Sequence, residues 1–434
     1  MYKTPGVYVE EVSTLPPSVA EVATAIPAFL GTTQLGAAGA VEIDQVSTLL
    51  EYEQRFGKPK ATTFTATATG VLKPLASNIP DTLLWYAINL YFKNGGGRCY
   101  IVSIDNHANA PTGARFDAGL KALAAVDEPT LIVMPEAQGL SAAEYNTVCQ
   151  SALAQCKSLG DRFSILDVKD GDVTAFRTGV GMNYLPYGAA YYPYLHTAIG
   201  HAYDATTIKV GDAADATTMA ALQTTNTTVY NSLKKQLANQ FVDLPPSAAM
   251  AGIYAMVDRD RGVWKAPANV SLSAVVAPFV QITADQQELL NVDETGGKSI
   301  NAIRAFTGKG ILVWGARTLA GNDNEWRYIN VRRLFIMIEE STRKASAFAV
   351  FEANDAGTWL KVKGMLESYL YGLWEQGALQ GSKPEQAYYV NVGLGKTMTT
   401  QDVLEGRMIV EIGIAAVRPA EFIVLRFSHK LPEA

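Results

Sequence analysis

The chain has 434 residues, 48% of them hydrophobic and 18% charged, with 36 Lys and Arg against 42 Asp and Glu for a formal net charge of -6. That length points to two or three domains with ample core, the composition excludes a disordered chain, and the charge balance supplies no basic stripe for nucleic acid. Nowhere does an apolar run reach the roughly 18 residues of a membrane span, and Lys3 precedes no apolar segment of a secretion signal.

In chain order, Val7, Tyr8, Val9 and Glu10 alternate as a short strand, with Pro5-Gly6 before it and Leu15-Pro16-Pro17-Ser18 after it. A lone strand on a proline tether has backbone groups that need partners elsewhere. Ala23 to Leu30 reads as a buried strand in which Pro27 implies an edge or a bulge. Val46 to Phe56 is helical and closed by Gly57, and 58–80 is a Thr-, Ala- and Pro-rich loop or small insertion. Leu83 to Phe92 is a helix ended by Asn94-Gly95-Gly96-Gly97. CYIVSI, TLIVMP and RFSILDV then read as strands, separated by helices over Phe116 to Ala125 and Ala142 to Leu159. Strands alternating with helices of that length argue for βαβ units and a parallel sheet. The 203–239 stretch is polar and Thr-rich, read as a surface excursion, and Ala248 to Asp258 resumes a helix.

After about Trp326 the pattern changes. Val331 to Phe351 reads as a helix with Leu334, Ile338, Ala345 and Phe348 on one face, and with i,i+4 pairs Glu339–Arg343 and Glu340–Lys344 on the other. A second helix, Thr358 to Gln376, carries Trp359, Val362, Leu366, Tyr369 and Leu373. AYYVNV, RMIVEIGIAAV and EFIVLRFSH close the chain as strands. The expected fold class is an α/β domain, a mostly parallel sheet with flanking helices, joined to a compact α+β domain of two helices and a small antiparallel sheet.

Chemistry has few signatures. Cys99, Cys149 and Cys156 are an odd number without metal spacing and read as small buried hydrophobes of a chain made in a reducing compartment. Gly395-Lys396-Thr397 and Gly297-Lys298-Ser299 imitate a phosphate loop, but the first glycine it requires is replaced by Val390 and Val292. The step from His196 to His201 matches no metal-binding helix face, and no nucleophile elbow is present. Asp258-Arg259-Asp260-Arg261-Gly262 reads as a salt-bridge set at a boundary. Asp105, Glu136 and Asp167 each end a predicted parallel strand, where carboxylates can converge on a ligand or Mg²⁺. They leave a magnesium-dependent α/β enzyme as an alternative, against the plain reading that acidic residues commonly terminate strands.

Several stretches together resemble the contractile tail sheath family of phages and phage-like injection machines: TPGVYVEEV, AINLYFKNGGGRCYIV, RDRGVWKAPAN, NAIRAFTGKGILVWGARTL and WRYINVRRLFIMIEES. They run in family order from the first residues to the last, with 58–80 and 203–239 as departures. The resemblance implies a structural protein without a cofactor. Its subunits stack around an inner tube and contract to drive the tube through a target envelope. It implies an N-terminal arm (1–20), an outer α/β domain (21–325), an inner C-terminal domain (326–418) and a C-terminal arm (419–434). It also implies that the arms add as strands to a hairpin of neighbouring subunits.

On these residues the arms are Val7, Tyr8, Val9 and Glu10, and Phe422, Ile423, Val424, Leu425, Arg426 and Phe427. The acceptor is Met408, Ile409, Val410, Glu411 and Ile412. Arg343, Lys344, Lys361 and Lys363 are candidates to face an acidic tube, or form a solvated helix face. Implied partners are further copies, the tube, a baseplate and terminal cap proteins, with a second sheath paralogue left open. Nucleic acid and membrane insertion are not implied. Assembly is expected in the bacterial cytoplasm, the particle being a phage tail, a bacteriocin or an extracellular injection device.

Overall fold

Six strands with nearly continuous apolar text form the parallel heart of one sheet. The computed structural model describes residues 18–211 and 216–423. The six lie in the order Ile300–Phe306, Gly188–Tyr192, Phe163–Asp167, Leu131–Val133, Pro27–Thr33, Cys99–Asn106, all parallel. Such strands are buried on both faces, which is why their text does not alternate. Every residue of Pro27–Thr33 and of Phe163–Asp167 is buried. Antiparallel strands finish both edges: Glu42–Val46 on one side, Gly310–Val313 and then Val270–Ser271 on the other.

Pro27 corrects an expectation. It lies in a central strand, at its first residue, and the register shift comes later, between Gly31 and Thr32. A proline at a strand's first position does not interrupt the ladder behind it, so an edge is not required.

Helices pack on this sheet as the sequence leads one to expect. Ala142–Leu159 is capped by a reciprocal Ser141–Glu144 box and ends at Gly160 in the left-handed region. Its Cys149 and Cys156 are buried and unpaired, as is Cys99 on the strand, and burial pushes the Cys149 thiol up to about 12.

The two polar stretches are more ordered than their composition led us to expect. Thr65–Ala66 pairs in parallel with Lys209–Val210, which pairs with Thr217–Thr218. With helices Met219–Thr225 and Thr227–Leu237 they enclose a small core of Phe64, Ile208, Val210, Met219, Leu233 and Leu237. Neither stretch holds enough apolar residues to signal a core alone. Only their meeting makes one.

The chain divides into two units. The larger takes Ala23–Ile336 and the chain after Val417; the smaller takes Met337–Val417 with the chain up to Val22. The helix Ile329–Ala345 begins in one and ends in the other. It stops six residues before the expected end at Phe351: Ser346–Ala349 tightens to a 3₁₀ turn, and Phe351 sits at φ 69°. In the smaller unit the helix Ala356–Glu375 buries Val362, Met365, Leu366, Leu370 and Leu373. It packs against Tyr388–Val392, which pairs antiparallel with Val410–Ile414.

Candidate functional site

The three carboxylates do not form a site. Glu136 accepts N–H donations from Thr32 and from Leu83, the latter at 3.1 Å where the helix Leu84–Lys93 begins. It lies against Gly31, where a Cβ would come within 2.7 Å of its carboxylate. Glu136 is 2% exposed, so its carboxylate is enclosed by the protein and not open to a ligand at the strand ends, where open α/β sheets bind them. Asp167 accepts the Ser247 N–H at 2.7 Å at the start of another helix. Asp105 accepts from Asn106, Asn109 and Gly39 and pairs with Arg115 at 3.3 Å. Each satisfies orphan backbone donors, and among the described residues no three acidic, His or Cys side chains gather as a metal site. Burial pushes Glu136 and Asp167 up to about 7 each. For Asp105, burial is opposed and outweighed by the hydrogen bonds and Arg115, so its pKa is lowered.

The phosphate-loop imitations are equally spent. The amides of Lys396, Thr397 and Met398 all donate to the Gly393 carbonyl. Lys298 N–H donates to Asp293, and its ammonium to the Arg177 carbonyl. His196 bonds Asp243 at 2.6 Å.

What the smaller unit does offer is an edge. Val410–Ile414 and Tyr388–Val392 form a sheet of two strands, joined by a long connection, 393–409, that carries the helix Thr400–Leu404. The direction of the backbone groups follows from their neighbours. Ala415 N–H donates to the Ala387 carbonyl at 2.8 Å, and the Ile409 carbonyl accepts from Thr397 at 2.6 Å. Odd-numbered residues therefore turn toward the partner strand, and Val410, Ile412 and Ile414 turn their N–H and C=O groups outward. Among the described residues no strand receives them. The side chains agree: Val390 and Val392 are buried, whereas Val410, Ile412 and Ile414 are only half-buried. On the other face the Tyr389 ring lies over Gly413, where any Cβ would meet it at 2.2 Å. This is a strand with hydrogen bonds and apolar surface to give.

Of the expected arms, Val7, Tyr8, Val9 and Glu10 lie outside the described residues, as do Val424, Leu425, Arg426 and Phe427. Where the described chain begins, Val22 N–H donates to Ser341 Oγ at 3.1 Å. Where it ends, Phe422 and Ile423 are exposed, while Glu421 is held by Arg317, Asn291 and Tyr328. Burial opposes ionisation of Glu421, but the Arg317 and Asn291 bonds outweigh it and hold the pKa down.

Comparison with known proteins matches this architecture. A family model described as the phage tail sheath C-terminal domain matches residues 321–430. The tail sheath protein of Vibrio phage KVP40 is 24% identical over 185 residues, 42% of this chain but only 26% of that protein's length. The chain thus spans about a quarter of that relative. Among solved structures, the sheath of the extracellular contractile injection system PVC, in its contracted state, is 32% identical. The alignment covers 99% of this chain and 98% of that one, with a TM-score of 0.71. The contracted helical sheath of the anti-feeding prophage is 33% identical over 99% of this chain and 100% of its own, with a TM-score of 0.70. The chain belongs to the contractile tail sheath family.

That family is structural, and the magnesium-enzyme alternative falls with it. On this sheath chain the four basic candidates differ. Arg343 and Lys344 both pair with Glu340, at 2.5 and 3.1 Å, and Lys363 pairs with Glu367 at 3.4 Å. Lys361 is exposed and forms no ion pair among the described residues.

Sequence reasoning missed three groups in this sheath chain. Arg332 and Arg333 sit on a helix face next to apolar positions, yet both are buried. Arg333 pairs with Asp258 at 2.5 Å and donates to the Thr24 carbonyl, and Arg332 stacks between Tyr187 and Trp326. The alternating charges after Ala248 were the only hint of such a network. Phe351, fully exposed with Val350, borders an open cleft of about 490 Å³ lined also by Thr358 and Met408, just before the edge strand. A positive φ at a non-glycine residue costs on the order of 1–3 kcal/mol and cannot be read from sequence. The third group is the Glu421 anchor.

Proposed function

We propose that this chain is a structural subunit of a contractile sheath, which polymerises around an inner tube and contracts to drive the tube through a target envelope. The larger unit is the outer domain, and the smaller unit is the inner domain that carries the linkage. The observation that carries this reading is a match at about a third identity along nearly the whole chain to two sheaths in their contracted state. The outward edge of Val410–Ile414 supplies a physical means of linkage.

In this reading the terminal arms, Val7 to Glu10 and Phe422 to Phe427, extend the Tyr388–Val392 and Val410–Ile414 pair of neighbouring subunits. Main-chain bonds give affinity and alternating side-chain pockets give register. At a net value of about 1 kcal/mol per hydrogen bond, each arm contributes a few kcal/mol, small alone and large when repeated through a sheath. Proline tethers let such links stay paired while subunits slide and rotate. The partners are other copies of the chain, a tube, a baseplate and cap proteins. The particle assembles in the bacterial cytoplasm and serves as a phage tail or a released phage-like device.

Negative-stain microscopy of the purified chain tests the class: tubes or rings are expected. Deleting residues 1–18 is expected to leave folded monomer that forms none. Normal sheaths from the deletion would sink the linkage. Lys361 and Lys363 carry the tube-facing part of the proposal, with Arg343 and Lys344 more fully committed to Glu340.

A further inference from the structure

Between Val417 and Ile423 the chain has no helix or strand, and of the last six described residues five make no side-chain hydrogen bond or ion pair to other described residues. Glu421 is the exception. Its carboxylate accepts from Arg317 Nε at 2.9 and 3.2 Å and from the Arg317 terminal nitrogen at 2.7 Å. Asn291 Nδ2 adds a bond at 2.7 Å and the Tyr328 hydroxyl one at 3.1 Å.

The receptor is built without the glutamate. Arg317 is 4% exposed. Its other terminal nitrogen donates to the Asn291 carbonyl at 3.2 Å and to that of Gly321 at 3.5 Å. Its backbone is locked to Asn301, whose Oδ1 accepts the Arg317 N–H at 2.8 Å and whose Nδ2 donates to the Arg317 carbonyl at 2.8 Å. A planar guanidinium fixed from behind presents its fork in one orientation, which is the geometry that selects a carboxylate. Asn291 ends one helix, Asn301 lies on a strand of the large sheet, and Tyr328 precedes another helix. The socket therefore belongs to the rigid part of the larger unit.

Phe422 and Ile423, directly beyond this point, expose 71% and 78% of their surface. The chain is thus pinned at one residue and then released with apolar side chains outward. We propose that Glu421 in its Arg317–Asn291–Tyr328 socket is the anchor of the C-terminal arm: a positioning residue that fixes where the arm leaves the subunit and transmits its tension into the large sheet. The inference rests on the proposed sheath assembly and adds a residue that neither enters the neighbouring subunit nor belongs to the accepting strand. An arm that started from a free hinge would reach a neighbour with a wider range of directions and with more entropy to lose. A pinned arm starts pre-aimed.

The test uses the full chain and the variant Glu421→Gln, which keeps size and removes the charge. Chymotrypsin cleavage of the monomer after Phe422, read by mass spectrometry at low protease, is expected to run about tenfold or more faster in the variant, because a protease must first draw residue 421 out of its socket and the charge-assisted bonds that oppose this are weakened. The main thermal transition should persist, and tube formation by negative stain should require more protein or give short tubes. Unchanged cleavage, or fast cleavage with wild-type assembly, overturns the anchor. If Glu421→Gln does not fold, the wild-type monomer decides alone: cleavage after Phe422 as fast as in a free peptide of the same sequence refutes the anchor, and markedly slower cleavage supports it. A wild-type chain that folds but never forms tubes refutes the sheath reading instead, and the arm-anchoring role with it, while slow cleavage after Phe422 would still establish the clamp.

Discussion

A proline placed at Ile412 separates the fold of the subunit from its assembly. Ile412 turns its N–H outward on the free edge, whereas Glu411 turns its own toward Tyr388–Val392. Val410, Ile412 and Ile414 together offer three donors and three acceptors, worth on the order of 6 kcal/mol at a net of about 1 kcal/mol per bond. Ile412→Pro deletes one outward donor, costing about 1 kcal/mol for the bond, and leaves the arriving carbonyl unpaired at about 1–3 kcal/mol more. About 3 kcal/mol in total raises the protein concentration needed for assembly roughly a hundredfold. Glu411→Pro imposes the same ring on the same strand but breaks the bond inside the subunit, so it should lower monomer stability first. Ile412→Ala controls for the lost half-buried side chain. The assay is pelleting across a concentration series with negative-stain counts, beside thermal unfolding of each monomer. Assembly of Ile412→Pro at wild-type concentration would refute the outward edge as a joint. Equal loss of monomer stability in both proline variants would refute the assignment of which residues face out.

Two further predictions are narrower. Burial raises Glu136 and Asp167 to about 7, above the ordinary 4.5 and 3.8, so the folded monomer holds protons the unfolded chain has released. That stability is fully present below the ordinary values and is lost as pH rises through about 7. Urea unfolding should show wild type losing about 3 kcal/mol for Glu136 and about 4 kcal/mol for Asp167 across that window, with Glu136→Gln flattening its share; a difference that grows in the opposite direction rejects the assignment. Reversing Lys361 and Lys363 to Glu should leave the monomer folded and weaken sheath formation on tubes, most at low salt. Unaltered assembly on tubes at low salt counts against contact there.

Much of the fold was legible because the signals are local. The nearly unbroken apolar runs of CYIVSI and RFSILDV report burial on both faces, and the intervening helices report parallel connection. The sequence also resembled its family through short stretches in order, which the whole-chain structural match supports. Other features stayed hidden because their partners are distant. Phe64 and Leu233 make one small core from two polar stretches. Arg333 reads as a surface charge on a helix until Asp258 and Thr24 meet it. Asp105, Glu136 and Asp167 looked convergent because strand ends are adjacent in an open sheet; which backbone donors they satisfy depends on helices that begin elsewhere in the chain.

The amino-acid sequence by itself determined the class of protein: a mostly parallel α/β sheet, a second α+β portion, no nucleotide loop, and strand text near both termini in search of partners. Periodicity and turn chemistry act over a few residues, and they suffice for that. Only the tertiary structure decided which edge stands open, because outward and inward backbone groups alternate along Val410–Ile414 and only the paired neighbour says which is which. It alone decided that Glu421 is held while Phe422 is not, since a buried guanidinium fixed by Asn291, Gly321 and Asn301 exists only once those distant segments have folded together.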